Sequence, residues 1–448
     1  MSPTITPPKM SRRLKQTTAV LFLLLVTVIY FSSYFFRNIP DENPVTEIFF
    51  ADRITPAHLQ LIEKYNQIHK GKVKVIPVDF PNFDFSTNER KELLARALRG
   101  KETGIDILAV DLIWVQRFAK WCEPLESYFS AEEKNKILTM ALQSCYYEGE
   151  LYAVPFDLVQ GVMYYREDLV RKLKGGDQLI KKIDESITWE EFIKVKETLN
   201  PKNDFYIYPA AGYEGLICSF TELLLSLRPK YFEEQGFNFM TPEAHKSLQL
   251  LVDLVNKYHL TPAGVVEFTE IPSYEYFIKS DALFIRGWPT YDKDFLESPF
   301  DTAKERHLKK APLPHFNDGK PASVFGGWNL MVSKFSGKKA ASVDFIKFLL
   351  SEESQEVMYK NAGYYPVIKS IYSNPEFLKQ YPDLIINNKL IESGVHRPMN
   401  VEYTRYSETM SFYFEQAIRK KISVSDALEK VTTQIKNEAI IIKDNGAY

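Results

Sequence analysis

The stretch Glu150-Leu-Tyr-Ala-Val-Pro-Phe-Asp-Leu-Val-Gln-Gly-Val-Met-Tyr-Tyr-Arg-Glu-Asp-Leu169 decides how the chain is organised. Pro155 fixes φ and lacks a backbone donor, so the strand carrying Tyr152 to Val154 must end there or lie at a sheet edge. Asp157 follows at once, in a turn. Beyond Gly161 the run Val162 to Tyr165 is rich in β-formers and reads as a buried strand, and Glu167 opens a helix running to Lys174. A carboxylate standing between two strands of different sheets faces a cleft; the plainer reading is that Asp157 is a turn residue or a helix cap.

Length sets the scale outward from that point. A chain of 448 residues is too long for one ordinary core and divides into two lobes once its N-terminus is set aside. Aromatic residues are abundant, with 31 Phe, 26 Tyr and 5 Trp, more than a core of this size requires, so some of the rings are available to line a site. Four of the 56 basic residues, Lys9, Arg12, Arg13 and Lys15, precede the first apolar run; the other 52 stand against 58 acidic ones, a charge of −6, which argues against nucleic acid as a partner. Three cysteines, Cys122, Cys145 and Cys218, permit at most one intramolecular disulfide and fit no metal-ligand spacing; a buried thiol is the expected state of each.

Residues 1–16 are basic and Pro-containing, and 17–36 carry no charge over a length sufficient to cross a membrane as a helix. The basic flank puts the N-terminus in the cytoplasm, and Tyr30, Phe31, Tyr34 and Phe35 lie where an aromatic belt would be, so an uncleaved anchor is favoured over a cleaved signal peptide. After a linker over 37–44, strand and helix alternate. Val45 to Phe50 is a strand with Asp52 just past it, Thr55-Pro56 starts a helix, Lys72 to Val78 is a second strand, Glu89 to Leu98 a second helix and Ile105 to Asp111 a third strand. That alternation predicts a parallel sheet covered by helices, with Asp52 and Asp111 at the carboxyl ends of strands, where ligands bind in such sheets.

A second α/β region follows, with a capping box at Thr188-Trp-Glu-Glu191, a strand over Tyr206 to Gly212, and a Thr241-Pro242 helix start. Asp281 to Trp288 and Ala322 to Val332 read as two further passages between lobes. The predicted partition is therefore 45–154 with 284–325 in one lobe and 155–283 with 326–448 in the other.

Several runs together resemble the sugar-binding branch of bacterial extracellular solute-binding proteins, the maltose- and trehalose-receptor type. They are Gly104-Ile-Asp-Ile-Leu-Ala-Val-Asp-Leu-Ile-Trp114, Tyr152-Ala-Val-Pro-Phe-Asp157, Val162-Met-Tyr-Tyr-Arg166, Gly326-Gly-Trp-Asn329, Ala362-Gly-Tyr-Tyr-Pro-Val367 and Arg397-Pro398. The resemblance implies a two-lobed α/β fold of the type II periplasmic-binding-protein class behind an N-terminal transmembrane helix, with the 150–169 stretch as a hinge crossover. It implies that Asp52, Asp111 and Asp157 bind sugar hydroxyls and that Trp288 and Trp328 are stacking platforms. It further implies backbone approach at Gly326 and Gly327, a wall at Tyr364 or Tyr365, and a contact from Arg397. The chemistry is coherent: a sugar presents hydroxyls at its rim and apolar faces above and below, which carboxylates and flat aromatic rings match. Trp114 is assigned to the core, while the Gly and Pro neighbours of Trp288 and Trp328 favour a cleft.

No dinucleotide fingerprint, P-loop, HExxH or GxSxG occurs, and the seven His are scattered, so neither a cofactor nor a metal nor a catalytic residue is expected. The resemblance implies a carbohydrate ligand, whether mono-, di- or oligosaccharide, or else a polyol. It also implies the permease of an ABC importer as partner and a place on the outer face of the cytoplasmic membrane. Two alternatives are a tethered sugar sensor signalling to a kinase or chemoreceptor, and a membrane-anchored glycan-active enzyme using Asp111 and Asp157 as acid and base.

Overall fold

The computed structural model describes residues 24–31, 44–80, 87–101, 104–199, 201–290 and 302–444. The predicted span 17–36 falls outside these except for 24–31, which is helical and exposed. Among the described residues no helix is long and apolar enough to cross a membrane.

The first lobe is built on a five-stranded sheet. Thr46–Asp52 lies between Val73–Asp79 and Ile107–Asp111, parallel to both, and Trp328–Val332 and then Val154–Pro155 complete the order with antiparallel pairing. Ile48, Phe50, Ile107 and Leu108 are fully buried, as expected of strands covered on both faces. The helix Pro56–Ile68 begins where the Thr55-Pro56 pair predicts, because the Thr55 side chain accepts the N–H of His58 and Pro56 has no amide to leave unpaired. Thr87–Arg99 follows the second strand.

The second lobe holds a four-stranded sheet ordered Leu308–Ala311, Val162–Arg166, Phe284–Gly287, Tyr206–Ile207. Its core gathers the helices Glu214–Leu227, Pro242–Asn256, Tyr403–Ile418 and Val424–Asp444 against that sheet. Thr241 caps Pro242–Asn256 by accepting the Ala244 amide.

A three-stranded sheet joins the lobes: Ser323–Gly326 lies between Val159–Gln160 and Gly394–Val395. The chain therefore crosses at 155–162, at 326–328 and beyond 394. This corrects the predicted partition. Phe284–Gly287 and Leu308–Ala311 bond to Val162–Arg166 and belong to the second lobe, whereas Trp328–Val332 and the helices Lys339–Leu349 and Glu352–Ala362 belong to the first. The physical reason is register: Arg286 pairs with Met163 and Trp328 with Asp111, partnerships that a strand's own sequence does not specify. Asp281 to Trp288 is thus no passage between lobes, and the third crossing lies near Arg397.

Candidate functional site

Asp52 ends the first strand with no exposed surface. Its Oδ1 accepts the Arg53 amide (2.6 Å) and Nη2 of Arg90 (2.5 Å). The Thr55 N–H donates to Nδ1 of His58 (3.2 Å), which places the ring proton on Nε2, 3.2 Å from Oδ2 of Asp52. Burial alone would raise this carboxyl; the His58 hydrogen bond and the Arg90 guanidinium outweigh it and hold the group below the ordinary carboxylate range. The expected hydroxyl acceptor is accordingly buried inside the lobe, its Oδ1 hydrogen-bonded and its Oδ2 facing the His58 ring. Its effect reaches the cleft through Arg90, whose guanidinium carbon lies 4.2 Å over the Trp328 ring.

Trp328 is partly exposed, with Trp114 edge-on at 6.0 Å, and Trp114 itself is buried. Trp328 stands opposite Asp111 in the sheet. Asp111 is the partly exposed carboxylate of the three aspartates; its Oδ1 caps the following turn at the Ile113 amide (3.1 Å) and accepts Nη2 of Arg397 (3.3 Å). Burial pushes the Asp111 carboxyl up, against the pull of Arg397. Arg397 is buried and links three parts of the molecule. Beyond Asp111 of the first lobe, it donates to Glu214 of the second (2.8 Å) and to the Phe325 carbonyl of the joining sheet (3.2 Å). Tyr403 (2.8 Å) and Ser407 also donate to Glu214.

Asp157 is 6% exposed, and its Oδ1 accepts the Tyr365 amide (2.7 Å). Here too the carboxylate is turned inward, and the contact with Gly327 is made by the backbone: the Asp157 and Trp328 amides donate to each other's carbonyls at 3.2 Å. Gly327 has φ +130°, and a Cβ there would lie 2.9 Å from the Asp157 carbonyl carbon. Gly326 leaves room for Trp288, whose six-membered ring would lie 2.8 Å from a Cβ at that position. Tyr364 is buried edge-on against the His58 ring (5.4 Å), behind Asp52. Tyr365 lies deeper, its hydroxyl donating to Asp383 (2.6 Å).

On the second lobe, Trp288 is partly exposed and its carbonyl accepts the Tyr164 hydroxyl (3.0 Å). The Arg286 guanidinium carbon lies 4.2 Å over its ring, and Glu222 holds Arg286 at 2.8 and 3.3 Å. Glu270 and Tyr213, both partly exposed, lie beside each other near Trp288, and burial raises the Glu270 carboxyl against the Tyr213 hydrogen bond.

The nine expected residues lie within one network of contacts around the joining sheet. Tyr364 meets His58, which faces Asp52; Asp52 holds Arg90 over Trp328; Trp328 pairs with Asp111, which Arg397 holds, and through the backbone at Gly327 with Asp157, while Gly326 lies against Trp288. Sequence reading passed over Arg90, Glu214, Glu222, Glu270 and Arg286. Arg90 carries a signal: positions 90, 94 and 98 are one helical face, and a basic residue at the head of that apolar stripe calls for a buried partner. Among these described residues, those partly exposed include two indoles, the Tyr213 phenol and the carboxylates Asp111, Glu214 and Glu270, which suits a neutral ligand with hydroxyl edges and apolar faces.

Comparison with known proteins points the same way. The family model for bacterial extracellular solute-binding proteins matches residues 52–356. A probable ABC transporter-binding protein of Deinococcus radiodurans is 26% identical over 78% of this chain and 83% of its own length. Among solved structures, maltose-bound MalE3 of T. maritima superposes with a TM-score of 0.75 at 27% identity, covering 88% of this chain and 99% of that one. The cyclic α-maltosyl-1,6-maltose binding protein of Arthrobacter globiformis shares the fold, with a TM-score of 0.70 at 20% identity over 87% of this chain and 97% of its own.

Proposed function

The chain belongs to the bacterial extracellular solute-binding proteins, and from that premise we propose that it is the carbohydrate receptor of an ABC importer, holding a sugar between its lobes and presenting it to a permease. The observation that carries this reading is the pair of partly exposed indoles, Trp328 of the first lobe opposite Asp111 and Trp288 of the second against Gly326 of the joining sheet, with Arg397 tying Asp111 to Glu214. Stacking on the rings and hydroxyl bonds to those carboxylates would bind a neutral sugar and release it unchanged. Asp52 and Asp157 serve from behind, the first through Arg90 and the second through the backbone at Gly327. Ligand shifts the balance between open and closed lobes, and the closed form is what the permease reads.

The protein works outside the cytoplasmic membrane, with residues 17–36 as its tether. Retention of the chain in carbonate-washed membranes supports the tether, and release into the wash refutes it. The ligand is tested by a thermal-shift screen of the full chain against mono-, di- and oligosaccharides and polyols. A ligand at about 100 times its dissociation constant adds about 2.7 kcal/mol, enough to move the midpoint by a few degrees. A shift with one class of sugar names the substrate. Folded protein that responds to none of them overturns the carbohydrate reading, and new reducing ends after incubation with oligosaccharides would replace it with hydrolysis.

A further inference from the structure

The two lobes build their exposed tryptophans alike, although the strands that carry them run in different sheets. In the first lobe a carboxylate with no exposed surface, Asp52, grips an arginine that is 3% exposed, and that guanidinium covers Trp328 at 4.2 Å. In the second, Glu222 grips the fully buried Arg286, which covers Trp288 at the same distance. An aliphatic side chain would fill the space under an indole without desolvating two charges. What an aliphatic side chain lacks is a plane. A guanidinium is flat, stacks on aromatic faces, and has its own orientation fixed when a carboxylate takes its N–H groups. Arg286 gives both Nε and Nη2 to Glu222, and Glu222 in turn accepts the Val324 amide of the joining sheet (3.3 Å). Arg90 is fixed through Asp52, which the Arg53 amide and His58 hold.

We propose that Arg90 and Arg286 are positioning residues of the sugar site: each closes one face of its tryptophan and sets the angle of the ring, leaving one face to receive the apolar C–H face of a neutral sugar. The assignment rests on the carbohydrate reading for its ligand and on the two arginine stacks for its geometry. It gives Asp52 and Glu222 the task of fixing the guanidinium plane.

The test uses the full chain with Arg90→Met, Arg90→Lys, Trp328→Phe and Trp328→Ala. The double variant Asp52→Asn/Arg90→Met is added because it leaves no unpaired charge behind if Arg90→Met alone fails to fold. Without sugar, the near-ultraviolet circular dichroism bands lost in Trp328→Phe define the signal of that indole. Those bands collapse in Arg90→Met and in the double variant if the arginine holds the ring. With the sugar found in the thermal screen, calorimetric titration should show about a tenfold loss for Arg90→Met alone, and Arg90→Met should add no loss to that of Trp328→Ala when the two are combined. Arg90→Lys should recover stability through the Asp52 pair but not affinity, since an ammonium has no plane to stack. Full recovery of affinity by lysine, additive losses, or unchanged Trp328 bands in a folded variant overturns the positioning role. Protein that binds no sugar overturns the carbohydrate reading, and the ligand-free bands then decide alone whether Arg90 sets the ring.

Discussion

Gly327→Ala is the single substitution that the geometry around Trp328 makes most costly. Gly327 sits at φ +130°, a conformation that an L-residue reaches at a cost of about 1–3 kcal/mol. The added methyl would lie 2.9 Å from the Asp157 carbonyl carbon and 3.1 Å from the Leu158 Cα, and nearer still to the Asp157 carbonyl oxygen. Every one of those atoms is backbone, so no side chain can swing aside, and the strands must part by about 1 Å to restore van der Waals spacing. The two bonds between Asp157 and Trp328 are already 3.2 Å long, and such a movement breaks both. At about 1 kcal/mol each, added to the strain, the loss comes to roughly 3–5 kcal/mol. It falls where the chain crosses between lobes and beside the Trp328 ring, so sugar affinity should drop at least about tenfold along with stability. Gly337→Ala is the control, because nothing lies within 4 Å of a Cβ at that position, and it should stay within about 0.5 kcal/mol of wild type. Urea midpoints and calorimetric titration of the two variants decide the matter. A Gly327→Ala protein with the stability and affinity of the control refutes the reasoning.

Trp328→Ala should cost about 2 kcal/mol or more of ligand affinity, as truncation of a buried aromatic anchor does; unchanged affinity in titration assigns the ring to the core. Binding should weaken on acidification, beginning at higher pH than for an ordinary carboxylate, because burial raises the Asp111 carboxyl and only its ionised form accepts freely from hydroxyls; Asp111→Asn should flatten the profile. For stability, the sign at Asp111 is the opposite of that at Asp52. The raised Asp111 carboxyl binds its proton more tightly folded than unfolded, so its contribution favours the acid side and is lost as pH rises through its folded value. The lowered Asp52 carboxyl contributes above its unfolded value and loses that contribution as pH falls through its folded one, so Asp52→Asn should lessen acid destabilisation in melting curves taken below about pH 4. Arg397→Met leaves Asp111 and Glu214 facing each other without their cation and should destabilise by about 3 kcal/mol, a deficit that shrinks on acidification; a midpoint equal to wild type at neutral pH would show the bridge to be dispensable.

What the chain discloses of itself follows the range of the interactions concerned. Caps and strand–helix alternation are local, and Thr55-Pro56 and Thr241-Pro242 do start the helices Pro56–Ile68 and Pro242–Asn256. Sheet membership is not local. Phe284–Gly287 ends in Gly-Trp-Pro just as a crossing strand might, yet its hydrogen bonds go to Val162–Arg166, and only the folded register reveals that. The same contrast divides the site. The Gly neighbours of Trp328 and the Pro neighbour of Trp288 mark rings outside regular packing, and both rings stand partly exposed. Asp52 at a strand end looks equally available until Arg90, 38 residues on, takes its carboxylate. Pairings across that separation leave no mark in a single sequence beyond a charge on an apolar helical stripe.

The three aspartates thereby fall into two kinds for one geometric reason. Asp52 and Asp157 point into the first lobe, where Arg90 and the Arg53 amide hold the first, with the His58 ring beside it, and the Tyr365 amide holds the second. Asp111, opposite Trp328 at the sheet's end, accepts from the Ile113 amide and from Arg397, whose other arm grips Glu214 of the facing lobe. Separating the lobes must draw the guanidinium from one carboxylate or the other. The Asp111 contact, at 3.3 Å against 2.8 Å for Glu214, is the one to part first.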